Sequence, residues 1–376
     1  MKVLLIDQIA KVNYKYSFSL VNALNKQTDI TVTLAMDTKE EDENCDAEKY
    51  RLFNTADKNI GKLKKVWNYI CSVWRICKIA ENSYDVIHSQ WIIFSPVDYM
   101  MLRHLKKQGK KIVLTIHDIL PFNQKFYDYY YHKKIYAMAD QIIVQATDNV
   151  KRFHELFPDN QVPVHMIPHG HFMDYAQKIE KNIAREKLQI PQDKFVYLFF
   201  GQIKKVKGVD VLLKAWAKAI KENQELKENA LLVIAGSVWK ADFGKCEEII
   251  ETEHLQEYLK LDIRYIPDEE VDSYYGAADI CVLPYLEVYQ SGVLQLTYAH
   301  DKAAIVTKIP AFTDIIDESR GFLCESGDAD SLKEAMKRAY DEKDMLKKKA
   351  DHGYTYIKER FDWYKIAVGI ARLYQS

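Results

Sequence analysis

The chain has 376 residues, 48% of them hydrophobic. That is too long for one ordinary core and too apolar for a disordered polymer, so two globular domains of roughly 150–200 residues each are expected. Lys and Arg number 53 against 54 Asp and Glu, so no global field points to nucleic acid.

Six cysteines (Cys45, Cys71, Cys77, Cys246, Cys281 and Cys324) form no CxxC pair, as expected for buried or idle thiols in a reducing compartment. The 25 tyrosines suit sugar or membrane-interface surfaces, and equally a Lys/Ile/Tyr-biased genome. The opening MKVLLIDQIAKVN has an apolar run too short for a signal-peptide core. No window approaches ~18 uninterrupted apolar residues. A cytoplasmic protein is the expectation.

Short apolar runs alternate with helical patterns along the chain. KVLLID (2–7) leads into the helix-like SFSLVNALNK. ITVTLAM (30–36), DVIHS (85–89), KIVLTIHD (111–118) and QIIVQ (141–145) follow, each with a helical segment behind it. The rhythm restarts at KFVYLFFG (194–201) and continues through ALLVIAG (230–236), LDIRYI (261–266), ADICVLP (278–284) and AAIVT (303–307). Continuous apolar strands separated by helices predict parallel sheets buried on both faces. The polar stretch 168–194, with two prolines, reads as a domain connection. The fold class is therefore α/β, two doubly wound domains facing across a cleft. Ligands of such sheets bind beyond the carboxyl ends of the strands.

Two strand-to-helix loops carry the chemical signal. In FFGQIKKVKGVDVLLKAW (199–216), a strand ends at Gly201, a basic loop with Lys204, Lys205 and Lys207 follows, and Gly208 precedes an amphipathic helix. Small residues there let backbone amides approach an anion at a helix N-terminus, and lysines can neutralise a diphosphate. A solvated basic loop is the alternative. In PYLEVYQSGVLQ (284–295), Glu287 precedes a helix start at Ser291, Gly292 and Val293, whose N–H groups can meet phosphate oxygens. An exposed glutamate before an ordinary N-cap is the alternative. The GxxxxGK[ST] spacing is absent, and no GxGxxG follows a strand, which weighs against a nicotinamide enzyme. No HExxH and no Cys/His spacing supports a metal.

GQIKKVKG, IPDEEVDSYYGAADICVLPY, EVYQSGVLQ, AAIVTKIPAFTDII and GFLCESGDADSLKEAM resemble the retaining glycosyltransferases of family 4. DVIHSQW, KKIVLTIHDILP and IPHG match more loosely. The resemblance implies the GT-B fold: residues 1–175 as acceptor-binding Rossmann-like domain, 176–360 as nucleotide-sugar-binding domain, and 361–376 as a helix returning to the first. It implies hexose transfer from a nucleotide diphosphate sugar to a hydroxyl of a saccharide or lipid-linked saccharide, without a metal or other cofactor. Glu287, Lys207 and His117 take the catalytic positions. Gly201, Gln202, Lys204, Ile266, Gln290, Ser291, Gly292, Val293 and Gln295 fall on the donor side. His88, Asp118 and Tyr14 fall on the acceptor side.

The chain departs from the family pattern in three places. Gln202 replaces the arginine of the "GRL" loop. The second glutamate of the E-x7-E segment falls on Gln295, or on Leu296 when counted back from AAIVT. The glycine-rich loop after the first strand is missing, and DQIAKVNYKYS offers Tyr14 and Tyr16 instead. These departures motivate a second reading, a catalytically weak GT-B subunit that stabilises a partner glycosyltransferase. A sugar-nucleotide epimerase is a third, which the Glu287 segment argues against.

His88 and His169 sit at predicted strand ends, where a satisfied structural histidine and a ligand contact are both open. Residues 58–80 hold Lys58, Lys62, Lys64, Lys65, Arg75 and Lys78, no acid, and apolar residues at helical spacing. That pattern fits a helix on an anionic membrane surface, or a core helix with solvated lysines. The aromatic run 122–136 is an acceptor-side candidate or simple packing.

Overall fold

The computed structural model describes residues 1–37, 45, 47–54, 61–81, 83–121, 123–239, 243–288 and 291–376. The chain forms two compact units, Met1–Gly170 with Phe361–Ser376, and His171–Arg360.

The first unit contains β1 (Lys2–Asp7), α1 (Ala10–Asn25), β2 (Thr31–Asp37), β3 (Lys49–Phe53), α2 (Lys62–Ala80), β4 (Val86–Ser89), α3 (Ser95–Lys107), β5 (Lys111–Ile116), α4 (Asp128–Met138), β6 (Gln141–Val144), α5 (Thr147–Leu156) and β7 (Val164–Met166). Its seven strands are parallel, in the order β3-β2-β1-β4-β5-β6-β7. The chain runs one way from β1 to β3 and the other way from β4 to β7. Right-handed crossovers then put α1 on one face and α2, α3 and α4 on the other. The helix neighbours agree: α2 packs beside α3, and α3 beside α4.

The second unit contains α6 (Lys181–Lys187), β8 (Phe195–Phe200), α7 (Val209–Glu222), α8 (Gln224–Asn229), β9 (Ala230–Ala235), α9 (Gly244–Thr252), β10 (Leu259–Asp262), α10 (Asp268–Ala277), β11 (Ile280–Leu283), α11 (Gly292–Ala299), β12 (Ala303–Thr307), α12 (Pro310–Thr313), β13 (Gly321–Cys324), α13 (Ala329–Asp341) and α14 (Leu346–Arg360). Six parallel strands run β10-β9-β8-β11-β12-β13. In α7, Val209, Leu212, Leu213, Trp216 and Ile220 are buried, the period of a helix with one apolar face. Asp328 caps α13 by accepting from the N–H groups of Asp330 and Ser331.

The last helix, α15 (Trp363–Gln375), belongs to the first unit and packs on α1. Asp362 caps it, accepting from Lys365 N at 2.9 Å. Trp363, Ile366, Ile370 and Tyr374 share a core with Phe18, Leu20 and Leu24 of α1.

Three expectations shift. The stretch 168–194 is not a bare connection: from His171 on it belongs to the second unit, where α6 packs on α10. Buried Arg185 there donates to Asp279 at 2.8 Å. The strand expected over 261–266 is β10, ending at Asp262, because Arg264 N turns back onto the Asp262 carbonyl at 3.0 Å. The edge strands β3, β7 and β13 are additions. An edge strand has one neighbour, so its sequence need not be apolar throughout.

His88 is fully buried at the centre of the first sheet, with ring nitrogens 2.6 Å from the Tyr374 hydroxyl and 2.7 Å from Thr115 Oγ1. Tyr374→Phe leaves one ring nitrogen unpaired in the core. It is expected to cost the first unit about 1–3 kcal/mol, read as a lowered midpoint in urea unfolding followed by circular dichroism.

Candidate functional site

In the second unit the strand order reverses between β8 and β11, which opens a crevice at their carboxyl ends. Two loops close on each other there. After β8 the chain passes Gly201, makes a 3-10 turn at Lys205–Lys207 and enters α7 through Gly208. After β11 it runs through Pro284, Tyr285 and Leu286 to Ser291 and α11. Leu286 N donates to the Val206 carbonyl at 2.8 Å. Gly208 has φ +64°, and a Cβ there would lie 2.1 Å from the Pro284 carbonyl oxygen. Only glycine allows that approach. Gly201, at φ +119°, faces Val293 of α11; a Cβ would lie 3.3 Å from its Cγ2.

This stitching puts Lys207 Nζ 3.5 Å from the centroid of the Tyr285 ring, a cation–π contact. Tyr285 is buried and also hydrogen-bonds Ser291 through its side chain. Its carbonyl accepts from Thr307 Oγ1 at 2.6 Å and Ser326 Oγ at 3.2 Å, so the ring is held from both ends. Ser291 caps α11, accepting from Leu294 N at 3.3 Å. Burial, and secondarily the charge of Lys204, pull the Lys207 amine down to about 7. Lys204 itself lies 5.8 Å from the Trp239 ring.

Thus Gly201, Lys204, Lys207, Ser291, Gly292 and Val293 come together, with Glu287 two residues beyond Tyr285 and exposed. Gln202 is exposed on the same loop. Gln290 lies outside the described residues. Gln295 is buried in α11 with its Oε1 unpartnered, while Leu296 is half-buried. Ile266 is a buried side chain in the loop after β10, the edge strand, so its side chain serves packing there.

In the first unit the carboxyl ends of β1, β4, β5 and β6 gather a neutral cluster around His117. Its ring nitrogens lie 3.0 Å from Gln145 Oε1 and 3.0 Å from Gln90 Oε1. Burial, with His169 nearby, holds His117 down to about 3, so it is neutral. A neutral imidazole has one donor, so one glutamine must turn its amide NH2 to the ring. His117 stacks on Trp91 at 4.3 Å. The Tyr16 ring lies 5.2 Å from His117, 4.6 Å from His169 and 5.4 Å from Trp363. Asp118 is half-buried and, with Gln90, Trp91 and His117, lines a pocket of about 70 Å³.

One acceptor-side expectation is corrected, His88, and the structure adds a second tyrosine to the other, Tyr14. Both nitrogens of His88 are engaged inside the core, so it has nothing to offer a ligand. Tyr14 packs edge-on against Phe18 at 5.7 Å, one helical step away from the cluster; Tyr16 is the tyrosine at His117. Sequence reasoning missed Tyr285, Gln90, Trp91 and Gln145. Tyr285 had a signal, since it directly follows Pro284 at the end of IPDEEVDSYYGAADICVLPY, one of the stretches that carry the resemblance.

Comparisons with known proteins decide the family. The model for glycosyl transferases group 1 matches residues 180–356, and that for glycosyltransferase family 4 matches 15–171. Sucrose-phosphate synthase from Thermosynechococcus elongatus superposes with TM-score 0.78 at 17% identity, covering 100% of this chain and 98% of that one. The chain belongs to the glycosyltransferase family 4-like proteins of the GT-B fold.

The HepE protein of Anabaena, in complex with UDP and glucose, shares this GT-B fold with TM-score 0.74, 16% identity and coverage of 99% and 98%. A D-inositol 3-phosphate glycosyltransferase of Corynebacterium urealyticum is 24% identical over 310 residues, 78% of this chain and 72% of that protein. One from Streptosporangium roseum is 22% identical over 214 residues, 54% of this chain. The chain spans about half the length of the first curated relatives it matches, 48% and 52%. Among the described residues, no three His, Cys, Asp or Glu side chains form a group able to hold a metal.

The depressed Lys207 amine of this GT-B protein is directly measurable. After ¹³C-methylation, its resonance should titrate near pH 7, and Lys204→Ala should move the midpoint upward. A folded pKa below the unfolded value means the unfolded chain binds more protons between about 7 and 10.5, so this group's contribution to stability rises with pH across that window.

Proposed function

We propose that this chain transfers a hexose from a nucleotide diphosphate sugar to an acceptor hydroxyl, with retention at the anomeric carbon. The observation that carries the reading is Lys207, held half-buried over Tyr285 beside the N-terminus of α11. A departing diphosphate placed there meets an ammonium, the amides of Ser291, Gly292 and Val293, and a positive helix end. The dianion raises the Lys207 pKa and keeps the amine charged at neutral pH.

In the proposed step the acceptor oxygen bonds to the anomeric carbon as the carbon–oxygen bond to the diphosphate breaks. The acceptor proton passes to the leaving phosphate oxygen. Glu287 takes hydrogen bonds from the donor sugar, and no metal enters. The first unit supplies the acceptor side through the neutral cluster at His117. The acceptor class is a saccharide or lipid-linked saccharide. The solved structures with UDP and glucose make UDP-glucose the first donor to test. No helix among the described residues is long and apolar enough to cross a membrane.

The second reading, a partner-stabilising subunit, rests on the neutral Gln202 and Gln295 where the family carries charge. A panel of UDP-, GDP- and dTDP-sugars separates the two. Turnover that falls about 10²-fold or more in Lys207→Ala and comparably in Glu287→Ala supports the transferase. Silence with every nucleotide sugar, in turnover and thermal shift alike, favours the subunit.

The membrane part rests on α2. Tyr69 fixes its inner side, donating to Asp98 at 2.5 Å, and Ser72 donates to the Leu52 carbonyl at 2.5 Å. Its outer side exposes Leu63 (89%), Trp67 (66%) and Trp74 (57%), with Val66 and Ile70 partly exposed. Lys64, Arg75 and Lys78 surround them, and Lys78 lies 3.8 Å from the Trp74 ring. Trp67→Ser with Trp74→Ser should lower flotation with anionic vesicles by at least about ten-fold. Wild-type protein that stays soluble with such vesicles at low salt removes this part.

A further inference from the structure

The helical layer that carries α2 has a second unusual feature beside it. Between α3 and α4 runs a groove of about 320 Å³, lined by Tyr99, Arg103, Lys106, Lys107, Lys134 and Met138 among others. Four of these side chains are cationic and none is acidic. Lys106 is neutralised by Asp140 at 2.5 Å. Among the described residues, Arg103, Lys107 and Lys134 have no carboxylate partner. Two of them gather on one ring: the Arg103 guanidinium lies 6.0 Å from the Tyr99 centroid and Lys134 Nζ 5.7 Å from it. Lys134 also lies 4.3 Å from the Tyr130 ring.

Elsewhere on this protein's surface some lysines sit against carboxylates, as Lys133 does with Asp159 and Lys347 with Asp351. Three unpaired cations around one aromatic groove repel one another, and a multiply charged anion relieves that repulsion. The geometry suits phosphate better than carboxylate: a guanidinium can grip two oxygens, and two ammonium groups can share the remaining charge. The rim is aromatic as well as basic, with Tyr130, beside Lys134, 54% exposed. α3, which forms one wall of the groove, also packs beside α2.

We propose that the α3–α4 groove binds the phosphate headgroup of a lipid while α2 lies on the bilayer, with Arg103, Lys107 and Lys134 as its ligands. The proposal rests on the membrane reading of α2 and adds a headgroup-selective site to it. Tyr99 keeps Arg103 and Lys134 together, with Lys107 on the same groove, so the site discriminates headgroup charge density, which a simple basic patch does not.

The test is vesicle flotation of the full chain with two membranes matched in surface charge, one carrying phosphatidic acid and one phosphatidylglycerol. Wild type should partition about ten-fold better onto phosphatidic acid. The triple variant Arg103→Ala, Lys107→Ala, Lys134→Ala should bring that ratio to about one while still floating on phosphatidylglycerol through α2. Its thermal unfolding should match wild type, since all three side chains are exposed. Trp67→Ser with Trp74→Ser should lose both membranes. An equal ratio in wild type, or a ratio unchanged in the triple variant, overturns the headgroup site and leaves the α2 reading standing. Failure of wild type to float on either membrane overturns both. Inorganic diphosphate supplies the remaining arm. If it shields Lys134 from amine acylation without vesicles while the lipid ratio stays at one, the groove takes soluble phosphate, and the lipid assignment is wrong.

Discussion

Everything chemical in the second unit follows from the contact of two loops at the β8–β11 switch point. Gly208 must be glycine, because its left-handed backbone lies against the Pro284 carbonyl. That approach allows the Leu286–Val206 hydrogen bond, and the bond puts Tyr285 under Lys207. The lysine then sits partly out of water over an aromatic face, where burial lowers its proton affinity. A group in that state is sensitive to a nearby anion: a dianion restores the charge that burial disfavours. The α11 N-terminus, capped by Ser291 and tied to the same tyrosine, points its free amides at the same sheet edge.

The carboxyl edge of the first unit has a different character. Neutral hydrogen-bonding and aromatic groups gather there, Gln90, Trp91, His117, Gln145 and Tyr16, with Asp118 on the same pocket and Asp7 buried at the end of β1. Desolvation keeps His117, and His169 at about 4, uncharged. α15 contributes by covering α1 and by placing Tyr374 against His88, which turns a strand-end histidine into a core residue.

The outer layer of the first unit shows a third arrangement. α2 is fixed from inside by buried polar bonds, Tyr69 to Asp98 and Ser72 to Leu52. Burial raises Asp98 to about 7, partly offset by its bonds to Tyr69, Ile93 and Phe94. A helix held this firmly by its inner side can leave tryptophans outward without losing its place.

Much was legible in the sequence. Continuous apolar runs gave the buried parallel strands, because a strand covered on both faces has no polar side to alternate. Strand-to-helix loops with small and basic residues marked the crevice, since switch-point loops must bring backbone close to a ligand. Edge strands stayed hidden: KYRLF and VHM each have an open side, and their pattern is indistinct. Side-chain partners were decided only by folding. Whether His88 faces a ligand or Tyr374 depends on a helix 286 residues away, and whether Tyr14 or Tyr16 meets His117 depends on the rotation of α1. Local spacing fixes which face of an element a residue lies on; only the packing of distant elements fixes what that face meets.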